Sequence, residues 1–152
     1  MPGEIHIRCL SCGTLNRAPA DKAGMTGKCG RCETPFRVPS SLDGPLDVSD
    51  SDFRDQVEQS SVPVLIEFWS PSCGHCVRME PVIDEIAREL TGRVKVAKVD
   101  VSRNARVPSL YEVRGTPAFV LIKDGKEQAR FLGAMPREEL VNRLLHSLQE
   151  MH

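Results

Sequence analysis

Six cysteines arranged as three Cys-x-x-Cys pairs constrain this chain of 152 residues more than any other feature of its sequence. The pairs are Cys9/Cys12, Cys29/Cys32 and Cys73/Cys76. Two of them fall within residues 1–38, a segment with few large apolar side chains and many turn-forming residues. A segment this short does not bury enough apolar surface to fold alone, so a metal, disulfides or a partner must stabilise it.

The spacing of the first two pairs is typical of a zinc site. The 16 residues 13–28 separate them, which fits two Cys-x-x-Cys knuckles that share one ion. Four cysteine ligands close the tetrahedral shell and leave no position for a substrate, so the zinc would be structural. We therefore expect the ligands to be Cys9, Cys12, Cys29 and Cys32.

Structural disulfides or an accessory redox pair are the alternatives for these four cysteines. The first residues show no basic segment followed by an apolar one, so the sequence indicates no secretory signal and predicts a cytoplasmic protein. Disulfides are disfavoured in that reducing compartment.

Composition and charge exclude several functional classes. Apolar residues make up 40% of the chain and charged residues 27%, as in soluble globular proteins. The 20 basic and 21 acidic side chains leave a net charge of -1, which disfavours nucleic-acid binding. No apolar run reaches the roughly 20 residues of a membrane helix. No nucleotide-binding pattern is present, so no bound organic cofactor is expected.

The chain divides into residues 1–38, a proline-, glycine- and serine-rich linker at 39–45, and residues 46–152, which are long enough for one compact domain. The first half of that domain is predicted to contain a helix that starts among the capping residues 48–52 and ends near residue 60, followed by strand 64–69, helix 73–91 and a strand near 94–99. The second half is predicted to contain a short helix at 104–111, strand 117–122, a two-residue hairpin turn at 124–125, a strand to 132, and a final amphipathic helix. This order predicts an α/β fold with a mixed central sheet and helices on both faces.

The third cysteine pair lies where the first long strand meets its helix. A cysteine at a helix N-terminus is near free backbone N–H groups and the positive end of the helix dipole, which both favour the thiolate. Cys73 is therefore predicted to be the attacking nucleophile, and Cys76, one turn on, the resolving thiol. Half of a metal site is the alternative, but residues 46–152 hold no further Cys-x-x-Cys pair. This spacing beside a βαβ pattern is typical of redox motifs.

Residues 46–150 resemble the thioredoxin family. The matching strings are Phe68-Trp69 before the cysteine pair, Gly115-Thr116-Pro117, Lys123-Asp124-Gly125 and Gly133-Ala134. The resemblance implies the thioredoxin fold, reversible dithiol–disulfide exchange, and a cis peptide bond before Pro117, which lies against the active disulfide in the family. It also implies substrate contacts by Trp69, Gly74, Thr116 and Pro117. A zinc ribbon ahead of this domain is similar to the bacterial thioredoxin 2 subgroup.

Two further residues are candidates for proton chemistry. Glu67 is predicted to lie mid-strand on the face shared by Leu65 and Trp69, where burial would raise its pKa and make it a proton acceptor near neutral pH. A carboxylate that reaches solvent is the alternative. The resemblance implies that Glu67 replaces the family's aspartate, which exchanges the proton of the second cysteine through water. It also implies that Lys98 is the family lysine near this acid; a solvated lysine is the alternative.

The active-site sequence departs from the family pattern at two positions. Ser72 stands where the family commonly has tryptophan, and Gly74-His75 replaces the Gly-Pro of thioredoxins and resembles the protein disulfide isomerases. His75 can carry positive charge beside Cys73, which would stabilise the thiolate and hence the reduced form. A solvated surface histidine is the alternative.

The sequence thus predicts a cytoplasmic zinc-ribbon protein that reduces disulfides in partner proteins. The resemblance implies that thioredoxin reductase, which draws on NADPH, reduces the oxidised form. A disulfide isomerase or thiol oxidase, suggested by Gly74-His75, is the first alternative. A non-enzymatic adaptor or chaperone that docks through the ribbon is the second.

Overall fold

The computed structural model of the protein describes residues 4–9, 11–22, 24–38, 44–91 and 93–150. Most of the predicted linker, namely residues 39–43, lies outside these ranges. Within them, no helix combines the length and the apolar character that crossing a membrane requires.

Two short antiparallel hairpins, called the ribbon below, make up the N-terminal part. Strand β1 (Glu4–Arg8) pairs with β2 (Leu15–Pro19), and β3 (Thr26–Lys28) pairs with β4 (Pro35–Arg37). Few apolar side chains are buried between the hairpins, and they are Ile7, Ala18, Phe36 and Val38. A core of this size is too small to hold the ribbon together alone, in line with the predicted need for a metal. None of these four strands was predicted from the sequence.

A five-stranded mixed sheet forms the centre of the second part. Its strands are β5 (Leu46–Asp47), β6 (Val64–Trp69), β7 (Lys95–Asp100), β8 (Ala118–Lys123) and β9 (Lys126–Leu132). The order across the sheet is β5-β7-β6-β8-β9, with the first three strands parallel and the last two pairings antiparallel. The helices are α1 (Gly74–Glu89), α2 (Arg106–Leu110) and α3 (Arg137–Glu150).

Strand β6 is buried on both faces, as its continuous apolar run predicts. Side chains of α1 and α3 pack on one face of the sheet, around Leu65, Phe119 and Leu121. Phe53 and Val107, from the segments that precede β6 and follow β7, cover the other face. The predicted mixed sheet with helices on both faces is confirmed.

The predicted two-residue turn between β8 and β9 is also confirmed. Lys123 pairs with Lys126, and the turn residues Asp124 and Gly125 have φ values of 52° and 76°. Positive φ at both positions is what a type I′ hairpin turn requires.

The helix predicted to end near residue 60 differs from the structure. It is a single π-helical segment of five residues, Arg54–Glu58. Asp50, one of its expected capping residues, instead caps α2. The Asp50 carboxylate accepts hydrogen bonds from the backbone N–H groups of Ala105, Arg106 and Val107 at 3.1, 3.0 and 2.9 Å.

We expect Asp50→Ala to lower the free energy of unfolding by about 1–2 kcal/mol at pH 7, because three helix N–H groups lose their acceptor. The hydrogen bond from Val107, followed by those from Arg106 and Ala105, holds the pKa of Asp50 below its ordinary value despite the opposing effect of burial. This contribution is present above the pKa of an unfolded aspartate, about 4, and is lost as the pH falls through the folded pKa.

Urea unfolding at pH 7 and at pH 3 measures the difference. The exposed Asp55 is the control position, and Asp55→Ala should change the free energy by less than about 0.5 kcal/mol. Equal destabilisation by the two substitutions would contradict the capping role.

Candidate active site and metal site

The thiol of Cys73 lies at the N-terminal end of α1. Cys73 is the N-cap residue, and its Sγ accepts a hydrogen bond from the backbone N–H of Cys76 at 3.2 Å. The Sγ also lies 3.5 Å from the carbonyl oxygen of Thr116, two residues before β8. Burial opposes ionisation, but hydrogen bonds that involve Cys76, Thr116 and the backbone of His75 outweigh it and lower the pKa of Cys73.

The thiol of Cys76 has the opposite character. It lies one turn into α1, and Cys76 is only 1% exposed. Burial, reinforced by the nearby Cys73 sulfur, raises the pKa of Cys76 to about 11. Cys73 is therefore the thiol that ionises first, and Cys76 must lose a proton before it can react.

Glu67 is buried in the middle of β6, on the sheet face that α1 covers, and is 1% exposed. Burial raises the pKa of Glu67 to about 7 against the opposing effect of Lys98, while the charges of Glu80 and Cys73 raise it further. Within the described part of the chain, its Oε2 accepts no hydrogen bond. A carboxyl group with a pKa near neutrality can take up and release a proton at working pH.

Lys98 is the direct neighbour of Glu67 across the parallel pair of β6 and β7. Its Nζ lies 4.2 Å from the centre of the Trp69 ring and 3.9 Å from Oε1 of Glu80. The Lys98 side chain is 13% exposed, so most of it is withdrawn from solvent. Lys98 thus lies between the buried Glu67 and the more exposed Glu80.

The expected substrate contacts are only partly brought together. The peptide bond between Thr116 and Pro117 is cis, as the resemblance implies. Both residues line a cavity of about 270 Å³ together with Leu132, whose side chain is exposed. Gly74 is exposed, and a Cβ atom there would meet nothing within 4 Å. Trp69 instead lines a second cavity, of about 500 Å³.

His75 is exposed on the first turn of α1. Its Nδ1 lies 2.8 Å from the guanidinium of Arg78. Because arginine only donates hydrogen bonds, Nδ1 is the acceptor here and carries no proton. The positive charge observed beside the His75 ring is thus that of Arg78, a residue that the sequence-based prediction did not include.

Four sulfur atoms cluster where the two hairpins of the ribbon meet. The Sγ atoms of Cys9, Cys12, Cys29 and Cys32 all lie within 4.8 Å of one another. Cys9 and Cys32 are separated by 3.4 Å, and Cys12 and Cys29 by 3.7 Å. Zinc–sulfur bonds of about 2.3 Å in a tetrahedron place the sulfurs about 3.8 Å apart, so the cluster fits a structural zinc ion.

The two knuckles repeat one local structure. The residue after the second cysteine, Gly13 or Glu33, has a positive φ (78° and 63°) and donates its N–H to the carbonyl oxygen of the first cysteine. The next residue, Thr14 or Thr34, places its hydroxyl 3.1 Å from the sulfur of the second cysteine. The repeat Cys-x-x-Cys-x-Thr is visible in the sequence, but neither threonine was predicted to be part of the metal site.

Arg93, between α1 and β7, reaches across to the ribbon. Its guanidinium donates to the carbonyl oxygens of Arg8 at 3.2 Å and Pro35 at 2.9 Å, and lies 5.2 Å from the ring centre of Phe36. Burial lowers the pKa of Arg93, and the charge of Cys9 opposes that shift. No local sequence signal points to this contact, because more than fifty residues separate the partners.

Two residues of the site on α1 were also missed, although helical spacing places each near a residue of the cysteine motif. Arg78 follows His75 by three residues, and Glu80 follows Cys76 by four. Residues at these spacings are neighbours on a helix surface.

Two thiols of unequal acidity, one turn apart at the start of a helix, can exchange electrons with an external disulfide by closing a disulfide between themselves. The fold and the site therefore define a thiol–disulfide oxidoreductase with a thioredoxin fold, in the class of protein-disulfide reductases.

Comparisons with known proteins agree with this class. The thioredoxin family model matches residues 44–146, and a second family model, described as thioredoxin 2, N-terminal, matches residues 8–34. Thioredoxin of Haemophilus influenzae is 41% identical over 97 residues, which are 64% of this chain and 91% of that protein. Thioredoxin 1 of Synechococcus elongatus is 42% identical over 97 residues, with the same coverage. The chain thus belongs to the thioredoxin family and carries the zinc ribbon of the thioredoxin 2 type.

We expect purified protein to contain one zinc ion per chain, and Cys29→Ser to lose most of it, because three thiolates hold zinc more weakly than four. The ribbon should then unfold, while the five-stranded sheet, which has its own core, stays folded. Metal analysis gives the zinc content, and the fluorescence of Trp69 reports on the sheet.

Cys76→Ser is the matched control, since it makes the same substitution in the pair outside the ribbon. It should leave the zinc content unchanged. Full zinc content in Cys29→Ser, or loss of zinc from Cys76→Ser, would contradict the assignment of the four ligands.

Proposed function

We propose that this chain reduces disulfides in cytoplasmic proteins by two successive exchanges at Cys73 and Cys76. The observation that carries the proposal is the position of the Cys73 thiol. Its Sγ accepts the Cys76 N–H at the start of α1 and lies beside the Thr116 carbonyl. A thiol placed in this way is both ionisable and next to backbone that an incoming chain can reach.

In the first exchange, the Cys73 thiolate attacks one sulfur of the substrate disulfide. A mixed disulfide forms, and the other substrate sulfur leaves as a thiolate. In the second exchange, Cys76 loses its proton and attacks the Sγ of Cys73, which releases the second substrate thiolate. The substrate gains two electrons, and the pair Cys73–Cys76 becomes a disulfide.

Glu67 is the proposed acceptor of the Cys76 proton. Its raised pKa, near 7, suits this role, because a base that titrates near the working pH transfers protons most effectively. Lys98 tunes the acid from the neighbouring strand. We assign the substrate contacts to Trp69, Gly74, Thr116 and Pro117, the last of which also lies against the reacting disulfide.

The proposed partners are protein disulfides and thioredoxin reductase, which would restore the dithiol with electrons from NADPH. NADPH itself would bind to the reductase.

We propose the division of the chain into a zinc-ribbon domain at 1–38, a linker at 39–45 and a thioredoxin domain at 46–152. The zinc ligands are Cys9, Cys12, Cys29 and Cys32, which the sulfur cluster supports. The proposal includes no nucleic-acid or membrane partner.

The test is mixed-disulfide trapping with insulin as the disulfide substrate. Cys76→Ser should accumulate a covalent adduct through Cys73, because the second exchange is blocked. The matched variant Cys73→Ser should accumulate little, because Cys76 is buried and ionises poorly. Equal trapping by both variants, or reduction of insulin that persists in Cys73→Ser, would contradict the assigned roles. Absence of insulin reduction by the unmodified protein would favour the adaptor alternative.

A disulfide isomerase or thiol oxidase is the second candidate function. Gly74-His75 favours it, since a cation beside the Cys73 thiolate would stabilise the reduced form. The hydrogen bond from Arg78 to His75 argues against it, because it engages Nδ1 of His75 away from the Cys73 thiol.

The reduction potential separates these functions. The reduction potential of thioredoxin is about −270 mV and that of protein disulfide isomerase is about −180 mV. We expect an intermediate potential for this protein. His75→Pro should make the potential more negative, because a group that can stabilise the Cys73 thiolate is removed. Titration against glutathione, followed by Trp69 fluorescence, measures the change. His146→Asn, which alters an exposed histidine on α3, is the control. A potential that does not move in His75→Pro would remove the support for the isomerase.

A further inference from the structure

Glu80 is a carboxylate at the active site with no role in the exchange described above. It lies on α1 four residues after Cys76, so the two side chains are neighbours on the helix. Its Oε1 is 3.9 Å from the Nζ of Lys98, and its side chain is 45% exposed. Glu80 therefore lies at the boundary between the interior of the site and solvent.

The ammonium group of Lys98 pairs with one carboxyl group and acts electrostatically on a second. The register of β6 and β7 places Lys98 beside Glu67, which is almost completely buried. Towards α1, the same ammonium pairs with Glu80 and lies over the ring of Trp69. The more strongly Lys98 is drawn to Glu80, the less it stabilises the ionised form of Glu67.

Few groups near Glu67 could control how strongly Lys98 stabilises its ionised form. Among the described residues, the charges that act on Glu67 are those of Lys98 on β7, Glu80 on α1 and Cys73 at the N-cap of α1. Asp47 follows Lys98 in the same row of the sheet, and the buried Cys76 lies on the first turn of α1. The neighbour of Glu67 on β8 is the uncharged Phe119. Within the described residues, Lys98 forms its ion pair with Glu80.

We propose that Glu80 is a positioning residue for the second exchange: it holds the Lys98 ammonium towards the outside of the site and leaves Glu67 able to take the Cys76 proton. This inference rests on the proton-acceptor role of Glu67 in the proposed function. In that step the Cys76 S–H bond breaks and the proton goes to a carboxylate oxygen of Glu67. The electron pair left on sulfur forms the bond to Cys73, while the bond between Cys73 and the substrate sulfur breaks and that sulfur leaves as a thiolate. Glu80 takes part in none of these bonds.

Removing the charge of Glu80 has two effects in the same direction. The repulsion between Glu80 and Glu67, which raises the pKa of Glu67, disappears. Lys98 is then left with Glu67 as its carboxylate neighbour and stabilises the ionised form of that acid more strongly. Glu67 would lose its proton at a lower pH and would be a weaker base towards Cys76.

The first test compares Glu80→Gln with Asp84→Asn in the reduced full-length protein. Asp84 is exposed on α1 one turn further from the cysteine pair, so its variant removes the same charge from the same helix. Carbon-13 NMR of the Glu67 carboxyl group follows its ionisation without substrate or turnover. We expect the midpoint to move to lower pH by about half a unit or more in Glu80→Gln, and by less than half as much in Asp84→Asn. An unchanged midpoint, or equal shifts in the two variants, overturns the proposal.

Repeating the measurement in a Lys98→Met variant distinguishes two effects of Glu80: holding the Lys98 ammonium group in place, and acting on Glu67 directly through its own charge. In Lys98→Met there is no ammonium group to hold, so adding Glu80→Gln should move the Glu67 midpoint by less than half of the shift seen in the parent protein. An equal shift in both backgrounds overturns the positioning role, because Glu80 would then act by its own charge.

Kinetics connect the shift to the reaction. The pH profile for resolution of a preformed mixed disulfide should move with the Glu67 midpoint in Glu80→Gln, while the first attack by Cys73 keeps its profile. If resolution depends on Glu67 but not on Glu80, this inference fails alone. If Glu67→Ala leaves resolution unchanged at every pH, the proton-acceptor role in the proposed function fails, and the inference fails with it.

Discussion

The burial of strand β6 on both faces is the constraint on which the rest of the active site depends. It places β6 at the centre of the sheet, parallel to β7 and antiparallel to β8. The end of β6 and the start of β8 therefore meet at one edge. Cys73 follows β6 and Thr116 precedes β8, so the sheet brings the thiol and the carbonyl close together.

The same strand explains why the site contains a buried acid. Side chains alternate along a strand, so Glu67 must face the apolar layer under α1 if Leu65 does. Burial of an ionised carboxylate is unfavourable, and the protein offsets this cost only in part with Lys98. The incomplete compensation is useful, because it leaves the acid poised between its two protonation states at neutral pH.

Local patterns in the sequence predict the features that depend on neighbours along the chain. The apolar run of β6, the turn at Asp124-Gly125 and the spacing of the ribbon cysteines are of this kind. Features that depend on distant partners could not be predicted. Strand β5 has only two residues and forms by pairing with β7, and Arg93 meets the ribbon only after both parts have folded. At the segment Arg54–Glu58, the apolar residues Phe53 and Val57 are four positions apart, which an α-helix satisfies equally well, so the sequence does not distinguish the two conformations.

The contacts of Arg93 have a thermodynamic consequence. Its two carbonyl acceptors belong to different hairpins, Arg8 to β1 and Pro35 to β4, so both bonds form only when the hairpins are correctly spaced. The sulfur cluster requires the same spacing. Because the Arg93 hydrogen bonds and the sulfur cluster require the same spacing of the hairpins, each stabilises the other by the same amount of free energy. Arg93, which lies outside the ribbon, therefore links the spacing of the zinc ligands to the rest of the chain, so that a contact beyond residue 38 contributes to the arrangement that zinc requires.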